Sequence, residues 1–328
     1  MTGHATALSR LAPEQRLRRL ELAVTRRLDG LLHGQHLGLL PGPGSEPAGS
    51  REYRPGEDEV RRMDWSVTAR TTVPHVRTVD ADRELTTTVL VDATPSMDFG
   101  TAELEKRELA VAAVAAVGVL TAGLGNRLGA HLLGHQGLRR FPARTGRPHL
   151  LGLLRALLAV PRGIPATQAV PLAEAVDGLR RATPRRGLAV VVSDFLDALP
   201  DEGVSGADGP PPAWEQPLRR LAARHQVLAV EVTDPRELEL PDVGLITLVD
   251  PESGRRREVS TGSRKLRERY AAAAAAQRLA VTLAVRRSGA THLRLSTDRD
   301  WITDIVRHVH AQRRLAGAAR PHRREVSG

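Results

Sequence analysis

Thr86-Thr87-Thr88-Val89-Leu90-Val91 is followed by Asp92-Ala93-Thr94-Pro95-Ser96, and these eleven residues decide the reading of the fold. The first six are β-formers in an unbroken run. A strand that alternates apolar with polar residues has one wet face, whereas a continuous run belongs in the middle of a parallel sheet covered on both sides. The spacing predicts a second buried strand at Leu188 to Val192, which leads into Ser193-Asp194-Phe195. In open parallel sheets, ligands bind past the carboxyl ends of the strands. Both runs place an aspartate there.

Working outward, the pattern alternates strand and helix. Helices are expected at about 102–124, 149–160, 172–181, 214–225, 263–286 and 301–315, and further strands at 128–133, 227–232 and 293–295. A hairpin is expected over 244–259, turning at Ser253-Gly254. Such alternation implies a doubly wound, mostly parallel α/β sheet. Residues 1–48 read as an amphipathic helix, with Leu17, Leu20, Val24, Leu28 and Leu31 on one stripe, and a Pro/Gly linker that ends it. Residues 49–85 read as charged turns and short strands, 86–315 as the α/β domain with a loop at 201–212, and 316–328 as a disordered basic tail.

Composition removes several function classes. The 328 residues include no cysteine, which excludes disulfides, thiol catalysis and cysteine-bound zinc or iron. The stretch from Leu109 to Gly125 carries no charge, but a membrane span needs about 20 strongly apolar residues. It reads as a buried helix, and the chain is expected to be cytoplasmic. A formal net charge of +10 raises nucleic acid as a partner. The basic residues are scattered, however, and aromatic residues make up only 2%, leaving few platforms for stacked bases. Only two of the 48 basic residues are lysines, Lys106 and Lys265.

Asp92, Thr94 and Ser96 offer one carboxylate and two hydroxyls at alternate positions of a strand-end loop. These are hard oxygen donors, suited to Mg²⁺ or Mn²⁺. Asp194 adds a carboxylate from the neighbouring strand. The competing reading is that an acid or hydroxyl after a strand merely caps the next helix. An alternative enzyme reading makes Asp92 the nucleophile of a metal-dependent phosphatase. Such enzymes need a second acid two residues on, where this chain has Thr94. A P-loop and a G-x-S-x-G elbow are both missing. The histidines, His131, His135, His308 and His310 among them, read as structural or solvated.

The D-x-T-x-S spacing resembles the metal-ion-dependent adhesion site of von Willebrand factor type A domains, with Thr94 standing for the first serine. In that resemblance Asp194 matches the third-loop aspartate and Thr167 the second-loop threonine. Upstream, Arg51-Glu52-Tyr53-Arg54-Pro55-Gly56-Glu57-Asp58, then Asp64-Trp65 and Arg70, resemble the signature of the domain of unknown function 58 family. Downstream, Asp234-Pro235-Arg236-Glu237 and Asp250-Pro251-Glu252 follow in the family's order. The resemblance implies a Rossmann-like von Willebrand A fold and a non-enzymatic protein-interaction module that binds Mg²⁺ or Mn²⁺. It also implies a MoxR-type AAA+ ATPase as partner, in protein maturation or complex assembly. Arg51, Tyr53, Gly56, Asp64, Trp65 and Arg70 are expected either to pin the N-terminal segment or to form a docking face.

Overall fold

The computed structural model describes Gln15 and residues 49–54, 60, 63–78, 85–102, 104–121, 125–162, 170–197, 210–249 and 255–318. The stripe Leu17 to Leu31 of the expected N-terminal helix, its Pro/Gly linker, residues 201–209 of the loop expected over 201–212, and the tail beyond 318 lie outside them. The chain divides into two units, 1–37 with 85–310, and 38–84 with 311–328.

The larger unit is built on six strands: β3 (Thr86–Asp92), β4 (Arg127–Gly134), β5 (Gly137–Arg144), β6 (Leu188–Ser193), β7 (Gln226–Thr233) and β10 (Thr291–Ser296). Their order across the sheet is β10-β7-β6-β3-β4-β5. All neighbouring pairs are parallel except β4 with β5. Numbered within this sheet alone, that is the 3-2-1-4-5-6 arrangement of doubly wound folds. The two strands expected to be most buried, β3 and β6, lie side by side at its centre, with Val91 level with Val192.

Helix α2 (Lys106–Leu120) follows β3 and is buried almost all round, which explains a sequence without an amphipathic stripe. Helix α3 (Arg147–Leu158) packs against α2. Helices α4 (Leu172–Ala182), α5 (Glu215–Ala222) and α6 (Arg264–Ser288) contribute Leu172, Val176, Leu179, Leu218, Leu221, Val281 and Val285 to one core. Leu90, Val191, Val227, Phe195 and Trp214 also belong to it. Helix α6 begins at Ser263, whose Oγ accepts from the Leu266 amide, and ends at Gly289, which takes a left-handed conformation at φ 78°. Among the described residues, strands β8 (Leu245–Val249) and β9 (Arg256–Ser260) pair only with each other, antiparallel as the expected hairpin requires; its expected turn at Ser253-Gly254 lies outside those residues.

Strand β5 was not anticipated: Gly137–Arg144 is basic, contains Pro142 and sits at the sheet edge, so it carries no apolar run. The last helix, α7 (Trp301–Ala318), runs three residues further than expected, into the segment read as tail.

In the smaller unit, β1 (Gly49–Glu52) pairs antiparallel with β2 (His75–Thr78), with α1 (Trp65–Thr71) between them in sequence. The helix was not foreseen, because seven residues with no buried side chain leave no periodic signal. Among the described residues, no helix is long and apolar enough to cross a membrane.

Candidate functional site at the switch point of the sheet

From β3 the chain crosses towards β4, and from β6 towards β7 on the opposite side. The loops leaving these two strands therefore diverge and open a crevice at the carboxyl edge. Asp92 ends β3, and Asp194 follows β6 directly.

Asp92 is 3% exposed. Its Oδ1 accepts from the Thr94 amide at 3.0 Å and from Thr94 Oγ1 at 2.7 Å, and its Oδ2 accepts from Ser193 Oγ at 2.6 Å. Thr94 Oγ1 lies 3.2 Å from Ser96 Oγ, within the one-turn helix Pro95–Met97 that curls the loop back on itself. Burial, and then the charge of Asp194, push the Asp92 carboxyl up to about 6. Ser193 had not been singled out from sequence; its place at the end of a buried strand, beside an aspartate, was the available signal.

Asp194 faces a different partner. Its Oδ1 accepts from the Leu196 amide at 3.1 Å, and its Oδ2 accepts from Lys106 Nζ at 2.9 Å. Lys106, the first residue of α2, is fully buried and also bonds Glu237 Oε1. Burial works against its charge, but the two carboxylates outweigh that and raise the lysine above its ordinary value. The next residue, Phe195, holds a left-handed backbone at φ 58°, unusual for a bulky side chain. Its amide donates to Ser193 Oγ at 3.0 Å, and Trp214 Nε1 donates to its carbonyl at 3.2 Å. The two rings meet edge to face at 5.1 Å.

Further contacts tie the surrounding loops together. Arg107 donates to the Ala93 carbonyl at 2.7 Å and pairs with Asp98 at 2.8 Å. Asp234, fully buried after β7, accepts from the Thr101 amide and hydroxyl, from the Arg236 amide and from Thr297 Oγ1. Burial alone would raise its carboxyl; these bonds outweigh burial and hold it below the usual range. A Cβ on Gly100 would come 2.5 Å from Glu105 Cα, so only glycine lets the loop close onto the start of α2.

Of the residues expected at the site, Asp92, Thr94 and Ser96 are thus brought together and Asp194 sits beside them, turned to Lys106. Thr167 lies outside the described residues, as does Gly56. In the smaller unit Asp64 caps α1, its Oδ1 accepting from the Ser66 and Val67 amides at 3.2 Å. Arg70 Nε donates to the Ser66 carbonyl of its own helix. Trp65 is 66% exposed, the Tyr53 amide donates to the Pro74 carbonyl, and Arg51 pairs with Val76 through the backbone of β1.

The donors suit a small hard cation. Ligands at adjacent corners of an octahedron with metal–oxygen bonds of about 2.1 Å lie about 3 Å apart. The separations Asp92 Oδ1 to Thr94 Oγ1 and Thr94 Oγ1 to Ser96 Oγ, 2.7 and 3.2 Å, straddle that value. Among the described residues no three acidic or histidine side chains gather as a metal site, so hydroxyls would have to share the work.

The fold and crevice define an open, doubly wound α/β protein with a polar site at its switch point. The chain belongs to the DUF58 family, described as "Protein of unknown function DUF58", whose family model matches residues 49–280. It is 54% identical over 303 residues to the uncharacterized protein Rv1480 of Mycobacterium tuberculosis, covering 92% of this chain and 90% of that one. Among solved structures it is similar to the conserved hypothetical protein BatB from Bacteroides thetaiotaomicron, at 14% identity and a TM-score of 0.41, covering 70% of this chain and 99% of that one. It is also similar to the SpRpn10 VWA domain, at 11% identity and a TM-score of 0.35, covering 68% and 94%. At these scores the fold assignment rests on the strand order, and the likenesses add nothing to it.

Proposed function

We propose that this chain is a protein-interaction module that holds a divalent cation, Mg²⁺ or Mn²⁺, on Asp92, Thr94 and Ser96, and through it captures a carboxylate of a protein partner. The observation that carries the reading is the convergence of those three oxygens at the strand switch point, one of them from the buried Asp92 carboxylate, whose charge is costly without a cation. Thr167 is the further candidate ligand. Asp194 contributes its charge at short range, with Oδ2 held by Lys106. When bound, the ion supplies an electrophilic centre for an acidic side chain, since hydroxyl ligands leave most of its charge unneutralised. Phe99 and Leu196, 40% and 36% exposed, follow the two site loops in sequence. They favour a partner that presents an acid beside an apolar residue. A MoxR-type AAA+ ATPase is the first partner to try, and the role is binding without turnover.

Calorimetric titration with MgCl₂ and MnCl₂, beside a folded Asp92→Ala control, tests the site. Saturable binding that the variant loses is expected, together with EDTA-sensitive capture of a purified MoxR-type ATPase. A wild type that takes up neither ion would sink the reading of the site. Capture that persists at full strength in EDTA would sink the carboxylate mechanism.

A further inference from the structure

We propose that Lys106 determines which cation the site accepts, by engaging Asp194 and Glu237 in a closed ion-pair network and so removing both carboxylates from the ligand set. This inference rests on the cation-binding reading above and concerns its selectivity.

The network is closed because one buried ammonium offsets the charge of both acids and each remaining oxygen has a donor, whereas the donors to Asp92, from Thr94 and Ser193, are all neutral. Asp194 Oδ2 accepts from Lys106 Nζ and Oδ1 from the Leu196 amide. Glu237 Oε1 accepts from Lys106 Nζ and Oε2 from the Asp234 amide. The lysine cannot swing away to water: it is fully buried, and it opens a helix whose next residues, Arg107 and Glu108, are buried as well. Its neighbour Arg107 is anchored independently on the Ala93 carbonyl and Asp98. The ammonium therefore behaves as a resident monovalent cation that satisfies two acids at once.

What remains for an incoming ion is a single carboxylate, Asp92, with the hydroxyls of Thr94 and Ser96. This inventory discriminates between cations. Ca²⁺ collects six to eight oxygens and draws on several carboxylates, some of them bidentate. Mg²⁺ is bound through one or two carboxylates and keeps several of its waters. Lysine suits this task better than arginine. A compact ammonium buries three N–H donors, two of which go to the carboxylates of Asp194 and Glu237, whereas a guanidinium would bury five on a rigid fork. That gives a physical reason for lysine here in a chain whose basic residues are otherwise almost all arginine.

The test is titration of the full chain with MgCl₂, MnCl₂ and CaCl₂ in turn, for wild type and for Lys106→Met, with the near-ultraviolet circular dichroism of each recorded to establish folding. The wild type is expected to bind Mg²⁺ and Mn²⁺ at least about tenfold more tightly than Ca²⁺. In Lys106→Met, which frees Asp194, the ratio is expected to move towards Ca²⁺ by about tenfold, or about 1.4 kcal/mol. Should Lys106→Met fail to fold, the pair Lys106→Met with Glu237→Gln removes one charge of each sign and is judged by the same ratio. An unchanged ratio in a folded variant that still binds Mg²⁺ overturns the role of Lys106 and leaves the cation site standing. A wild type that binds Ca²⁺ as tightly as Mg²⁺ overturns it with no variant needed. A wild type that binds none of the three overturns both readings.

Discussion

At the carboxyl edge of the main sheet Lys106 and Asp234 are fully buried, and Asp92 and Asp194 nearly so; in the β8–β9 hairpin Leu245 is 67% exposed and Val249 53%. The usual partition of charge outward and apolar surface inward is reversed in both places, with opposite energetic consequences. A buried charge costs several kcal/mol unless it is paired, so each side chain at the edge depends on its partners. An apolar side chain already in water loses little when it is replaced. The hairpin is held at its base instead. Thr261, fully buried, donates through both its amide and its hydroxyl to the Gly244 carbonyl at 2.7 Å, and its Oγ1 accepts from the Val243 amide.

The largest expected effect breaks the edge. Asp234→Ala removes the acceptor for two hydroxyls and two amides, and should lower unfolding free energy by about 4 kcal/mol in urea titration. A loss below about 1 kcal/mol would mean that the edge is not the cooperative unit described.

The next effect is one of pH, and it runs towards stabilisation. The Asp92 carboxyl stands at about 6 in the folded protein, against 3.8 as its ordinary value. Between those values the folded state binds the extra proton, so in metal-free buffer stability should fall as pH rises from about 4 to 6. The total is about 3 kcal/mol, at about 1.4 kcal/mol per pH unit. Asp92→Asn should remove that slope and be the more stable protein above pH 6. Parallel pH profiles for the two proteins would contradict it.

A smaller effect sharpens the contrast from the other side. Thr261→Val deletes the hydroxyl that joins Gly244 to Val243, for an expected loss of about 1–2 kcal/mol, with faster amide exchange confined to β8 and β9. Smallest of all, Leu245→Ser should change stability by less than about 0.5 kcal/mol, read from the thermal midpoint.

The sheet was legible because burial on both faces leaves a mark no surface segment can imitate. Val89-Leu90-Val91 and Val190-Val191-Val192 announced its centre, and the two aspartates at their ends announced the crevice. Edge strand β5 was not legible: exposure, Pro142 and three arginines give it the look of a loop. The D-x-T-x-S loop was legible as a donor set, because its ligands are neighbours in sequence. The partner of Asp194 was not. Lys106 lies 88 residues away, and a lysine ordinarily reads as a solvated side chain. One trace of it was present: it is one of only two lysines in a chain whose other basic residues are arginines. Asp234 was noticed as part of the family-like Asp234-Pro235-Arg236-Glu237 motif, but its work as a clamp depends on Thr101 and Thr297, which no local spacing connects to it.

The Asp234 clamp also bears on the order in which the molecule acquires its parts. Its bonds to Thr101 and Thr297 span 133 and 63 positions of the chain. Closing long loops is slow, because their entropy is lost before the contacts that reward it form. On a ribosome, Asp92, Thr94 and Ser96 emerge early, but the carboxylate that locks the following loop in place is completed only once residue 297 has been made. The site is therefore expected to mature late in synthesis, so that a chain still being translated presents its ligand loop without the frame that fixes it.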